Sequence, residues 1–249
     1  MTIAALARDT DRVPSARGAD VGDRVALAPH YRSATARTRL RFTGFGVFRA
    51  DIDGARVLLP PISRTMLARL VLARGGLVYA DDLYRDCWSD PTAVVRREQR
   101  VAVHKRIGEL RRCLAPGPDA DGTALLVTER SARTGYRLLL DDDQVDLHVF
   151  ADLVYRAAAV QDVVAVDLLM RSLAMWTEPP LLGLPDAGFV RDRVSWLTQL
   201  RDRACRELAV ACRALGRGRD ARAAFDRLQA RHSDDAGLRQ AIDRLRGDR

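Results

Sequence analysis

Lysine is almost missing from this chain of 249 residues: Lys105 stands alone beside 40 arginines. Long apolar runs are missing too. No uninterrupted stretch comes near the ~20 residues that a membrane-spanning helix requires, so no membrane partner is expected. Met1 to Asp9 carries no extended apolar segment behind a basic start, which argues against a secretory signal. Cysteine is scarce. Cys87, Cys113, Cys205 and Cys212 show no C-x-x-C pairing, and the four histidines are scattered. That speaks against a disulfide framework, a zinc site or another metal, and for a reducing cytoplasm. A glycine-rich phosphate loop and a nucleophile elbow are also missing. The chain is therefore expected not to be an enzyme and to need no cofactor.

What is present can fold. Apolar residues make up 47% and charged residues 30%, enough to bury a core and stay in solution. The length suits one large or two small domains. The net charge of +8 is unevenly spread. Residues 1 to 140 carry 24 basic and 15 acidic side chains, whereas residues 141 to 249 carry 17 and 18. A basic module joined to a neutral one produces this asymmetry, and a polyanion is the leading physical reason for such a module. An arginine-rich proteome that loads every surface with arginine is the bland alternative.

Residues 1–37 mix Ala, Asp, Arg, Pro and Gly without apolar periodicity and read as a disordered arm. From Leu40 the pattern predicts three short antiparallel strands, with a turn at Asp53-Gly54, ending at Pro60-Pro61. A helix follows over about Ile62 to Arg74, closed by Gly75-Gly76. After a short apolar piece, a second helix runs from Asp81 to Trp88, its Asp81-Asp82 pair suited to the positive helix end. A break at Ser89–Thr92 precedes a third helix over about 94–114. A hairpin comes next: a strand at 125–128, a tip from Glu129 to Thr134, and a return from Gly135 to Leu140. Three acids, Asp141 to Asp143, separate this from helices at about 146–159, 162–176, 188–215, 219–231 and 235–246. Ala209, Gly216, Ala221, Phe225 and Leu228 fit the spacing of a tetratricopeptide repeat. The last helix sets Leu238, Ile242 and Leu245 on one face. That face either dimerises, packs on 219–231, or belongs to a trimmed repeat.

The third helix is the most informative. Val103, Ile107, Leu110 and Leu114 form one apolar stripe and must face a core. Arg97, Val101, Lys105, Gly108 and Arg112 lie opposite, flanked by His104 and Arg111. Over residues 96 to 112, seven basic residues, Arg100 among them, meet two acids. A helix with such a face fits the major groove, where Arg and Lys satisfy phosphates or reach guanine and a small apolar group touches a thymine methyl. Gly108 keeps the middle of that face low, at a cost of about 1 kcal/mol in helix propensity. The alternative is an ordinary solvated face with Glu98 and Glu109 pairing neighbouring arginines. The hairpin tip adds Arg130, Ser131, Arg133 and Thr134, which suit a minor-groove or phosphate contact. Cys205 and Cys212 read as core thiols. Trp88, Trp176 and Trp196 read as core anchors, and His148 as packing or capping.

Strands, three helices and a hairpin, with the third helix basic, resemble the OmpR-type winged helix-turn-helix domain. The resemblance is carried by Ile107-Gly108-Glu109-Leu110-Arg111-Arg112-Cys113-Leu114 and Gly135-Tyr136-Arg137-Leu138. Arg74-Gly75-Gly76-Leu77-Val78 with Asp82-Leu83 and Trp88 adds to it. The second half resembles the bacterial transcriptional activation domain. It opens on Val145-Asp146-Leu147-His148-Val149-Phe150, continues through Leu173-Ala174-Met175-Trp176 and Pro179-Pro180-Leu181, and closes on Leu215-Gly216 with Ala221 and Phe225. In this order the two look like the Streptomyces antibiotic regulatory protein family, over about residues 38 to 246.

The resemblance implies an α+β winged helix-turn-helix DNA-binding domain at 38–141 and an all-α, tetratricopeptide-like domain at 145–249. It implies a cytoplasmic activator of a biosynthetic gene cluster that binds direct repeats in double-stranded promoter DNA and contacts RNA polymerase. A homodimer on DNA is compatible with it. By position, Arg97, Arg100, His104, Lys105, Gly108, Arg111 and Arg112 would serve the major groove, and Arg130, Arg133 and Thr134 the adjacent minor groove. Arg64 would hold a phosphate. Trp88, Ser89, Asp90 and Thr92, at the break between helices two and three, would face the polymerase. The competing function is a helical-repeat adaptor whose winged domain reads no DNA.

Overall fold

The computed structural model describes residues 40–88, 94–115 and 122–247. The expected arm at 1–37 lies outside them, as do Ser89, Asp90 and Thr92. The first sheet contains β1 (Leu40–Thr43), β2 (Arg49–Ile52) and β3 (Ala55–Arg56), paired antiparallel in that order. Leu40 and Phe42 on β1 and Ala50 on β2 are buried, and Phe42 lies opposite Ala50 in the register. The two-residue turn between β2 and β3 has Asp53 at φ 49° and Gly54 at φ 84°. Both angles belong to the left-handed hairpin turn that an Asp-Gly pair favours.

Helix α1 (Pro61–Leu72) begins with proline at its first position, where the missing N–H is no loss. Met66, Leu67, Leu70 and Val71 are its buried face. Arg74 (φ 48°) and Gly75 (φ 74°) then turn the chain in left-handed conformations toward β4 (Val78–Tyr79) and α2 (Ala80–Cys87). Helix α3 (Arg97–Leu114) buries Val103, Ile107, Leu110 and Leu114, the stripe that periodicity predicted. It starts later than residue 94 because the Gln99 side chain accepts the Arg96 N–H (3.0 Å) and so fixes the first turn there. The hairpin is β5 (Leu126–Arg130) and β6 (Thr134–Leu138), and β6 sits between β4 and β5. The strands reach closer to the tip than expected, since Arg130 pairs with Thr134 and leaves three residues outside the ladder. At Gly135 a Cβ would come within 2.7 Å of Leu77 Cδ1 and 3.2 Å of the Val78 carbonyl. Glycine is what lets β4 lie this close to β6.

A 3-10 turn at Asp142–Gln144 leads to α4 (Asp146–Ala158), α5 (Asp162–Met175), α6 (Gly188–Ala214), α7 (Gly218–Arg231) and α8 (Ala236–Gly247). Successive helices pack in pairs, and α8 rests on α6 and α7. The repeat-like positions Ala209, Ala221, Phe225 and Leu228 are buried, and Gly216 turns the chain after α6 at φ 67°. Of the readings open for the last helix, the intramolecular one holds at Leu238 and Ile242, which are fully buried. Trp176 is likewise core. It is 2% exposed and sits under the guanidinium of buried Arg201 at 5.0 Å.

One apolar core runs through both halves. At the junction the Asp146 carboxylate accepts the N–H groups of Gly44 (2.7 Å) and Phe45 (3.1 Å). Phe45 packs edge-on against Phe150 (5.4 Å) and tilted against Trp176 (5.1 Å). The Pro179–Leu182 segment then adds bridges to Phe45 and Val47. The three acids read as a separator thus border a joint: Asp142 pairs with Arg74 at 2.7 Å.

Candidate nucleic-acid interface

The outward face of α3 is built by default. Once Val103, Ile107, Leu110 and Leu114 are buried, helical geometry turns Arg97, Val101, His104, Lys105 and Arg112 to the outside, and all five are exposed. The side chains of Arg97 and Lys105 make no hydrogen bond or ion pair among the described residues. Arg112 has one long contact, Nε to the Gly108 carbonyl at 3.4 Å. A Cβ at Gly108 would meet nothing within 4 Å, so the helix surface is open there. Val101, 56% exposed, adds an apolar spot between the cations.

The flanks of the same helix are different. Arg100 forks onto Asp81 at the start of α2, with Nε at 2.7 Å and Nη2 at 3.0 Å. Arg111 turns to the wing and donates to the Leu126 carbonyl and the Thr128 hydroxyl. Arg106 pairs with Glu109 one turn on (2.7 Å). In the free chain Arg100 and Arg111 are thus each held by a neighbouring element, Arg100 while still 48% exposed. Arg64 is held in the same way. Its Nη2 donates to the Gly183 carbonyl (3.1 Å) in the segment before α6, so it joins the two halves.

The wing tip lies beside α2. Arg130 and Arg133 are exposed and Thr134 is half-buried. Arg133 stands over the Tyr79 ring (4.1 Å) and 3.8 Å from Asp82. His104 meets the edge of the Tyr136 ring, centroids 6.2 Å apart, which brings α3 against β6. At the other end of α2, Trp88 stacks on Tyr84 (4.9 Å) and is partly buried against the core. Asp81 is the residue that the sequence did not mark as a partner. Its hydrogen bond from Arg100, and the nearby charges of Arg133 and Arg85, hold its carboxyl below the usual range against the opposing effect of burial.

Among the described residues, no group of three or more His, Cys, Asp or Glu could hold a metal, and no helix is long and apolar enough to cross a membrane. Cys205 is a core thiol, pushed up to about 12 by burial. His148 is packed at the junction, and burial with the Arg74 charge lowers it to about 3.

Two small sheets around three helices with a wing, followed by paired helices, define the class: a winged helix-turn-helix domain joined to a tetratricopeptide-like helical domain, as in two-part transcriptional regulators. Residues 145–242 match the bacterial transcriptional activator domain. Over 217 residues the chain is 32% identical to the transcriptional regulatory protein MoaR1 of Mycobacterium tuberculosis, covering 83% of this chain and 67% of that one. It matches MoaR1 of Mycobacterium bovis to the same extent. The solved structure of Mycobacterium tuberculosis EmbR in complex with a low-affinity phosphopeptide superposes with a TM-score of 0.58 at 25% identity. That match covers 84% of this chain, which spans 65% of the EmbR chain, a little under two thirds. The chain belongs to the Streptomyces antibiotic regulatory protein family of transcriptional regulators.

Proposed function

We propose that this regulator is a cytoplasmic, sequence-specific activator that binds direct repeats in the promoters of a biosynthetic gene cluster and contacts RNA polymerase. Arg97, His104, Lys105, Gly108 and Arg112 enter the major groove, and Arg130, Arg133 and Thr134 meet the backbone or minor groove beside it. One observation carries the reading: the outer face of α3 is basic, low at Gly108, and its Arg97 and Lys105 side chains make no hydrogen bond or ion pair among the described residues, although the Lys105 charge is felt at Glu109. A merely solvated helix face would pair its cations with acids one turn away, as Arg106 does with Glu109. The family relationship supports a role in transcription. The near-neutral helical half suits a protein partner such as the polymerase, with Trp88 at the approach.

The test is a footprint on the promoter nearest the protein's own gene, followed by binding over a salt series. A protected pair of repeats is expected, with log affinity falling against log salt at about −0.9 per phosphate contacted. A salt-insensitive interaction without protection would favour the adaptor reading.

A further inference from the structure

Two carboxylates in the first turn of α2 sit where the third helix and the wing converge. Asp81 receives both fork nitrogens of Arg100 from α3, at 2.7 and 3.0 Å. Asp82 lies 3.8 Å from Arg133 of the wing tip and 3.1 Å from Arg85 one turn on. Arg133 also covers Tyr79, the residue that leads into α2. Two arginines from separate elements, both beside the proposed DNA face, thus end on one acidic turn.

The chemistry of these contacts is transferable. A carboxylate and a phosphate offer the guanidinium fork the same pair of acceptor oxygens. The contacts are also exchangeable. The arginine ends stay open to solvent, Arg100 at 48% and Arg133 at 50%, although Asp81 itself is only 17% exposed against 41% for Asp82; pairs with a solvated end add modestly to stability. Screening by salt weakens them further. They are poorly suited to staple the fold, which already has the buried stripe of α3 to hold it.

We propose that Asp81 and Asp82 are an internal stand-in for DNA phosphates. They hold Arg100 and Arg133 in the free protein and yield them to the duplex backbone when α3 is fully seated. Through that competition they limit how tightly the chain holds DNA of arbitrary sequence. A loosely docked duplex meets arginines already neutralised. A fully docked one brings phosphates close enough to take them. The inference rests on the DNA-binding reading above.

The experiment uses the full chain and a labelled duplex of mixed sequence, with affinity read by fluorescence anisotropy over a potassium chloride series. Asp81→Asn is expected to bind about three- to tenfold tighter near physiological salt, with a log–log slope steeper by about one. The gain should vanish in Asp81→Asn/Arg100→Ala, because a freed Arg100 is its source. Asp82→Asn repeats the test through Arg133, with Asp82→Asn/Arg133→Ala as its control, should the first variant weaken α2. An equal gain with and without the arginine would mean general charge repulsion and would overturn the proposal. So would an unchanged affinity with the thermal midpoint intact. If the wild-type chain binds no duplex even at low salt, the DNA-binding reading falls and takes this inference with it. Wild-type binding without a gain in either variant removes the inference alone.

Discussion

Arg111 reaches from α3 to the first strand of the wing, where its Nε (2.9 Å) and Nη2 (2.6 Å) donate to the carbonyl of Leu126. The same Nη2 donates to the Thr128 hydroxyl at 2.6 Å. A charged donor thus fixes the distance between the helix and the hairpin that together form the proposed interface. Arg111→Ala is expected to cost about 1–2 kcal/mol, since hydrogen bonds from charged groups are the stronger kind and this one is partly buried. Urea unfolding reads the loss. Duplex affinity should fall by more than Arg112→Ala produces, because the wing loses its placement as well as a charge. Equal stability to wild type would show that the strand pairing alone holds the wing.

The outward cations separate from this by their salt dependence. Arg112→Ala and Lys105→Ala should each weaken duplex binding and flatten the log–log slope by about one, as for a single lost phosphate contact. Their thermal midpoints should stay at the wild-type value, because neither side chain supports the fold. A slope that does not change in either variant would take α3 out of the interface.

His148 makes stability depend on pH. Burial and the positive charge of Arg74 lower its folded value to about 3, against the opposing pull of Asp142 at 3.7 Å, with Arg193 adding to the lowering. The unfolded chain takes up this proton near 6.5 while the native state does not. The unfolded state therefore binds more protons between about 3 and 6.5, and stability rises with pH across that window. The slope from this one group approaches about 1.4 kcal/mol per pH unit in mid-window. Asp146 runs the other way. Burial raises its carboxyl, so its contribution grows more favourable as pH falls through its folded value. Chemical denaturation at pH 7 and pH 5 of wild type and His148→Gln checks this: the glutamine variant should lose much of the difference. An undiminished difference would assign the acid sensitivity to other groups.

Much of this architecture was legible because local periodicity decides it. The stripe on α3, the Asp53-Gly54 turn and the five helices after residue 145 follow from spacings within a few residues. Charge told less. Arg100 and Arg111 are the same residue type as Arg112 and lie in the same run, yet one forks onto Asp81 and the other onto a wing carbonyl. Those partners come from other elements, and nothing near either arginine in the chain signals them. Asp146 shows the same limit. In the sequence it is only one residue of the motif that opens the second half, whereas its oxygens accept two backbone donors from a loop about a hundred positions earlier. Arg64 shows the same limit: its acceptor, Gly183, belongs to the other half.

Buried Arg201 carries the helical half. It is 2% exposed, pairs with Asp202 (2.9 Å) and Asp235 (2.7 Å), and lies against Trp176. Through Asp235, whose other oxygen accepts the Leu238 N–H at 2.8 Å, it fixes the start of α8 to α6. Arg201→Leu leaves two carboxylates without their counter-charge and is expected to cost about 3 kcal/mol, near the lower end for a broken buried pair because both acids are partly solvated. Arg201→Lys should recover little, since an ammonium cannot fork between two carboxylates. Thermal unfolding of both variants decides it. A stable leucine variant would mean that apolar contact with Trp176 holds the site and that the ion pairs add nothing.

Gly108 offers the sharpest separation of fold from function. A methyl group there meets open space, and glycine inside a helix is worse than alanine by about 1 kcal/mol. Gly108→Ala should therefore stabilise the chain by roughly 0.5–1 kcal/mol. If α3 lies in the groove with its backbone close to the bases, the same methyl group must push the helix outward, and affinity for the promoter repeats should fall although the protein is more stable. The two readouts move in opposite directions only if the low point on this face touches the duplex. A variant that is more stable and binds as tightly as wild type would leave Gly108 without a role in recognition, and would shift the closest approach toward Val101 and the first turns of the helix.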